Sequence, residues 1–201
     1  MVPHASQSPA TPRRNPDKRL DVGTRMPALK RTIGAPEWLV IVGGCVFIVV
    51  LFVSAVFEAD IRWLHFFQAW LYIATIALTL RRNPWGYFIG MSAAGFWAYT
   101  SLFVNNFLAS GITHLSRWIQ TGHLARPDQV IAVPAWLANV LVVVGCAWAY
   151  FRHAEKRRGD VLRFVVAVVL ATGFFAADMA LFQPRYLSLF PRLLHPHLPH
   201  P

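Results

Sequence analysis

The stretch WLVIVGGCVFIVVLFVSAVF, residues 38–57, decides the fold, because it runs for twenty residues without a charge. Wound as an α-helix it rises about 1.5 Å per residue and reaches about 30 Å, the hydrocarbon thickness of a bilayer. Pro36 suits the first turn of such a helix, and Trp38 suits the membrane–water interface. A cleaved signal peptide is the rival reading, since Val53-Ser54-Ala55 resembles a small-residue cleavage site with Met26 as the start. The apolar run is longer than the roughly 7–15 residues of a signal core, so a retained helix is expected.

Four further apolar blocks follow, at about residues 63–80, 85–108, 130–151 and 161–182. Arg81-Arg82-Asn83-Pro84 is too short a connection for anything but antiparallel neighbours. Over the whole chain 56% of residues are hydrophobic and 14% charged, against roughly 45–50% and about 25% in soluble domains. The expected fold class is therefore all-α, a polytopic transmembrane bundle of five helices over residues 36–182. A basic segment with five prolines, residues 1–35, precedes it, and a Pro/His-rich tail, residues 183–201, follows. The first of these cannot bury enough apolar surface to offset its ordering entropy and is expected to be disordered. In residues 109–129, Ile112, Leu115, Trp118 and Ile119 keep helical spacing before Gly122, which predicts a short helix lying in the interface.

The net charge of +10 is a matter of orientation. Alternate segments put Arg13, Arg14, Lys18, Arg19, Arg25, Lys30 and Arg31 on one side, with Arg81, Arg82, Arg152, Lys156, Arg157, Arg158 and Arg163. The other side receives only Arg62, Arg117, Arg126, Arg185 and Arg192. The positive-inside rule then places the N-terminal side in the cytoplasm, the C-terminal side opposite, and the bundle in a plasma or inner membrane. The expected partners are the lipid bilayer, anionic headgroups at the basic N-terminal segment, and a helix–helix partner or a second copy. Nucleic acid is not needed to explain the charge.

Two kinds of residue carry further information. Gly86, Gly90, Ala94 and Ala98 recur every fourth residue and form a small-residue stripe that lets another helix come close. Polar groups in a bilayer are expensive, and Arg62, His65, Gln68, Asn105, Asn106, Asn139 and Asp178 all fall toward the non-cytoplasmic ends of their helices. They are the candidate lining of a solute cavity; the plainer reading is hydrogen bonding between helices, with Asp178 reaching the interface or pairing with Arg62.

Catalytic and metal constellations are poorly represented. Asp178 is the one acid well inside an apolar block, so no aspartyl dyad forms. Gly90-Met91-Ser92-Ala93 resembles the Gly-x-Ser-Gly of rhomboid proteases but lacks the final glycine and a histidine at matching depth. His195, His197 and His200 cluster in the tail, separated by prolines that restrict convergence. No phosphate-binding loop, HExxH or haem CxxCH occurs, and Cys45 and Cys146 read as small core residues. No catalytic residue, metal or cofactor is assigned. Five crossings and eight tryptophans resemble the tryptophan-rich sensory proteins in outline; the tryptophans do not form that family's Trp-Pro pattern, and the likeness implies no function here.

The leading expectation is a noncatalytic subunit or helper whose partner docks on the stripe. The alternative is a small-solute carrier or receptor with an outward-facing polar cavity. A membrane enzyme using His65 and Asp178 is a distant third.

Overall fold

A computed structural model of the chain describes residues 32–189 and residue 191. The basic residues before Thr32 and the tail histidines lie outside the described residues. Those described are helical and turn structure with no strand. The helices are α1 (Ala35–Phe57), α2 (Arg62–Leu80), α3 (Pro84–Tyr99), α4 (Phe107–Thr121), α5 (Pro127–Val130), α6 (Ala132–His153) and α7 (Asp160–Phe182). Five segments are long and apolar enough to cross a membrane: Ala35–Phe57, Ala59–Leu80, Pro84–Val104, Pro127–His153 and Asp160–Phe182.

The third of these stops earlier than the apolar block, which continues to residue 108. After Tyr99 the backbone widens into a π turn, Thr100–Val104, closed by the Asn105 N–H on the Thr100 carbonyl at 3.0 Å. Asn106 then takes a left-handed conformation (φ 52°), which asparagine tolerates better than most residues. The Asn105 carboxamide oxygen accepts the Phe107 N–H at 3.0 Å and starts α4. Gly122 ends α4, left-handed at φ 68° with its N–H on the Trp118 carbonyl at 2.8 Å.

Helix α6 packs along α1 and α3, α2 closes against α1 and α3, and α7 leans on α3 and α2. The core is aromatic and aliphatic, with Phe47, Tyr72, Tyr87, Val142 and Cys146 buried at its centre. The α1–α6 contact depends on a glycine from each side. A Cβ on Gly43 would stand 2.6 Å from the Ala138 carbonyl oxygen, and one on Gly145 would stand 2.9 Å from the Pro36 carbonyl oxygen. Small residues at such a seam let dispersion contacts act at the shortest range.

The α3 stripe is filled from within the chain. A Cβ on Gly86 would meet Leu78 of α2 at 2.6 Å, and one on Gly90 would meet Cys146 of α6 at 2.5 Å and Thr75 of α2 at 2.6 Å. Ala94 is buried and Ala98 half-buried. Within the chain, α2 and α6 thus cover the Gly86 and Gly90 part of the stripe.

Candidate functional site

The two ends of the bundle differ. At the end where α1 begins, Glu37 is 2% exposed although it sits in the first turn. Its carboxylate accepts the Gly34 N–H at 3.0 Å and lies 3.1 Å from His153 Nε2 and 3.5 Å from Arg82 Nε. Beside it, Asp160 accepts from the Tyr150 hydroxyl at 2.9 Å, the Arg157 N–H at 2.9 Å and the Arg163 guanidinium at 3.2 Å. Three helices and two turns are tied together there by charge.

The opposite end holds a cavity of about 690 Å³, open on one side, within the roughly 300–1,000 Å³ typical of small-molecule sites. Its deeper wall is aromatic: Phe47, Phe96, Trp97, Phe107 and Phe175 line it. Trp97 meets Phe47 edge-on at 5.0 Å, and Phe96 stacks on Phe175 at 5.0 Å. Polar groups enter from several elements, Ser54 and Glu58 from the end of α1 and Ser110 from α4 among them. His65 and Gln68 come from α2, Asn105 and Asn106 from the break after α3, Asp128 and Gln129 from α5, and Arg185, Tyr186 and Ser188 from the turn after α7.

That last turn, Pro184–Leu189, is fastened rather than free. Gln183 donates to the Asp60 carbonyl at 2.6 Å, and Arg185 pairs with the Asp60 carboxylate at 2.6 Å. Arg126 holds Asp128 through two bonds, at 3.1 and 2.8 Å. The Asp60 contacts fix the turn after α7 to the α1–α2 connection, and the Arg126–Asp128 pair braces the start of α5.

Of the seven polar residues singled out in the sequence, His65, Gln68, Asn105 and Asn106 line this cavity. Asp178 is adjacent: buried on α7, it lies close enough to Gln68 for their side chains to interact, though neither carboxyl oxygen makes a hydrogen bond of good geometry. Arg62 is exposed and does not pair with Asp178, which corrects that alternative. Asn139 is withdrawn into the core, where it accepts from the Tyr72 hydroxyl and donates to the Ala135 carbonyl at 2.8 Å. It cements α2 to α6 and does not reach the cavity.

His65 Nδ1 meets the Leu51 carbonyl at 2.8 Å, and no hydrogen bond joins His65 to Asp178 among the described residues. The Ser92 hydroxyl donates to the Phe88 carbonyl at 2.7 Å and faces no base. Among the described residues no three His, Cys, Asp or Glu side chains gather as metal ligands. Glu37 was missed from sequence because a lone acid just before an apolar run reads as a solvated helix start. Compared with models of known protein families, with curated proteins and with solved structures, the chain matches none.

Proposed function

We propose that this chain is a multi-pass membrane protein, a carrier or receptor, that takes a small solute into the cavity between the ends of α1, α2, α3 and α7. The observation that carries this reading is the convergence of His65, Gln68, Asn105 and Asn106 on one open volume with an aromatic floor. Hydrogen bonding between helices, the plainer explanation of buried polar groups, accounts for Asn139 and for His65 Nδ1 on the Leu51 carbonyl, and Asn105 caps α4, yet His65, Gln68, Asn105 and Asn106 still line one open volume. The charge distribution orients the mouth away from the cytoplasm. The α4 helix, with Ile112, Trp118 and Ile119 exposed, then lies in the non-cytoplasmic interface, where such side chains meet lipid.

The subunit reading keeps one supporting observation, the outer face of α7, where Val161, Leu162, Val169 and Leu170 are exposed. A lipid annulus covers such a face as well as a protein does, so it does not discriminate. Native mass spectrometry of the chain extracted in mild detergent separates the two. A small molecule that stays bound, and is lost in the double variant Gln68→Leu, Trp97→Leu, is the expected result. A second protein in fixed ratio with an empty cavity would reverse the preference. Orientation is tested by Asn105→Cys in a Cys45→Ala, Cys146→Ala background, which an impermeant maleimide should label in intact cells.

A further inference from the structure

Resting on the cavity reading above, we infer that the solute is an amphipathic amine, an apolar or aromatic body carrying a protonated nitrogen. Beside the aromatic wall, α2 presents its polar groups, while Asn105, whose carboxamide oxygen is taken by the Phe107 N–H, keeps its amide N–H at the mouth. Because the Leu51 carbonyl can only accept, the contact at 2.8 Å assigns the ring proton to His65 Nδ1. In the neutral ring Nε2 is then left as an acceptor. Gln68 lies one helical turn further on the same face of α2, beside the Asp178 carboxyl. A ligand cation that draws the Asp178 carboxyl into its ionised form lets it accept the Gln68 N–H, which leaves Gln68 Oε1 for the ligand.

Charge acts in the same direction. Both Asp178 oxygens are buried without a hydrogen-bond partner, and a carboxylate in such a setting is costly unless a cation compensates it. At the mouth, Arg185 is paired with Asp60 and Asp128 with Arg126. Glu58, which also lines the cavity, forms no ion pair within 4.0 Å. The mouth therefore carries three carboxylates, Glu58, Asp60 and Asp128, against two guanidinium groups, Arg126 and Arg185, and the Asp178 carboxyl lies behind Gln68. The aromatic wall of Phe47, Trp97 and Phe107 favours cations as well, since ring faces attract an ammonium within about 6 Å. A ligand carboxylate would instead meet the His65 acceptor and a mouth that carries one more carboxylate than guanidinium.

The test uses the full chain in nanodiscs and three probes of one shape: 2-phenylethylamine, 2-phenylethanol and 3-phenylpropionate, with binding followed by calorimetry. The amine is expected to bind at least about tenfold more tightly than the alcohol, and the carboxylate most weakly. Asp178→Asn should remove about tenfold of the amine's affinity and leave the alcohol's unchanged. Gln68→Met, which keeps the volume and removes the acceptor, should act in the same way should Asp178→Asn fail to fold. Equal binding of amine and alcohol, preference for the carboxylate, or an amine affinity indifferent to both substitutions overturns the amine assignment and leaves the cavity reading standing. Failure of all three probes to bind overturns both.

Discussion

The bundle holds its two ends by opposite means. Where α1 begins, two buried acids are each engaged: Glu37 by His153 and the more exposed Arg82, Asp160 by the Tyr150 hydroxyl and the more exposed Arg163. At the other end the polar side chains of α2 and of the α3–α4 break face an open volume, and the ion pairs are pushed to the rim, where Arg185 and Asp60 are each about half exposed. One end spends its polar groups on closure and the other leaves them unspent. Polar residues near a membrane interface therefore divide into those that close a bundle and those that can receive a ligand, and which other helix they meet decides between the two.

The sharpest way to break this contrast is to remove the closing acid. Glu37→Ala leaves the largely buried His153 and the Gly34 N–H without their acceptor, while Arg82, 38% exposed, can turn to water; loss of about 3 kcal/mol is expected, read as a lowered melting temperature in detergent. Next in size is Gly145→Val. Its Cβ would press on the Pro36 carbonyl oxygen and Leu39, for about 2 kcal/mol of overpacking where α6 crosses the start of α1. At the cavity end a polar truncation should be mild. His65→Ala removes one hydrogen bond and leaves the Leu51 carbonyl beside an open cavity that water can enter, so about 1 kcal/mol of stability is at stake while amine binding falls. Should His65→Ala destabilise as strongly as Glu37→Ala, both ends would be structural and the contrast would fail.

Much of this architecture is legible in the sequence, because run length and short basic turns are one-dimensional properties. Five blocks of bilayer length and Arg81-Arg82-Asn83-Pro84 give the crossings and their alternation. The stripe on α3 is legible as a face for the same reason, whereas its occupants are not: periodicity says which side is small and not which helix fills it. Gly43 and Gly145 escape notice because one glycine per helix has no period, although they permit the close α1–α6 contact. Asn105 and Asn106 look like polar positions inside a longer helix until the backbone turns left-handed at Asn106, and that turn is what brings them to the cavity. Asn139 and Gln68 are indistinguishable as letters, and only the Tyr72 hydroxyl opposite Asn139 separates cement from lining.

The smallest stability effect is expected at the rim, and it bears most directly on how the cavity works. Arg185 and Asp60 are exposed enough that water screens their attraction, so Arg185→Ala should leave stability nearly unchanged despite the 2.6 Å contact. The adjacent Gln183 bond is different in kind. Gln183 is largely buried and donates to the Asp60 backbone carbonyl at 2.6 Å, so it retains the turn when the ion pair is gone. With the turn still tethered but its charge removed, Glu58 across the mouth loses a nearby cation, and a positively charged solute meets a more negative rim. Amine association should then become faster, with little change in dissociation, because rim charges act mainly on the approach of a ligand. Stopped-flow quenching of tryptophan fluorescence at low and high salt reads this directly. A rise in the on-rate that vanishes with salt would place the selection of charge at the mouth, whereas a change confined to the off-rate would make Arg185 part of the ligand's seat and move the boundary between closure and binding outward by one helical turn.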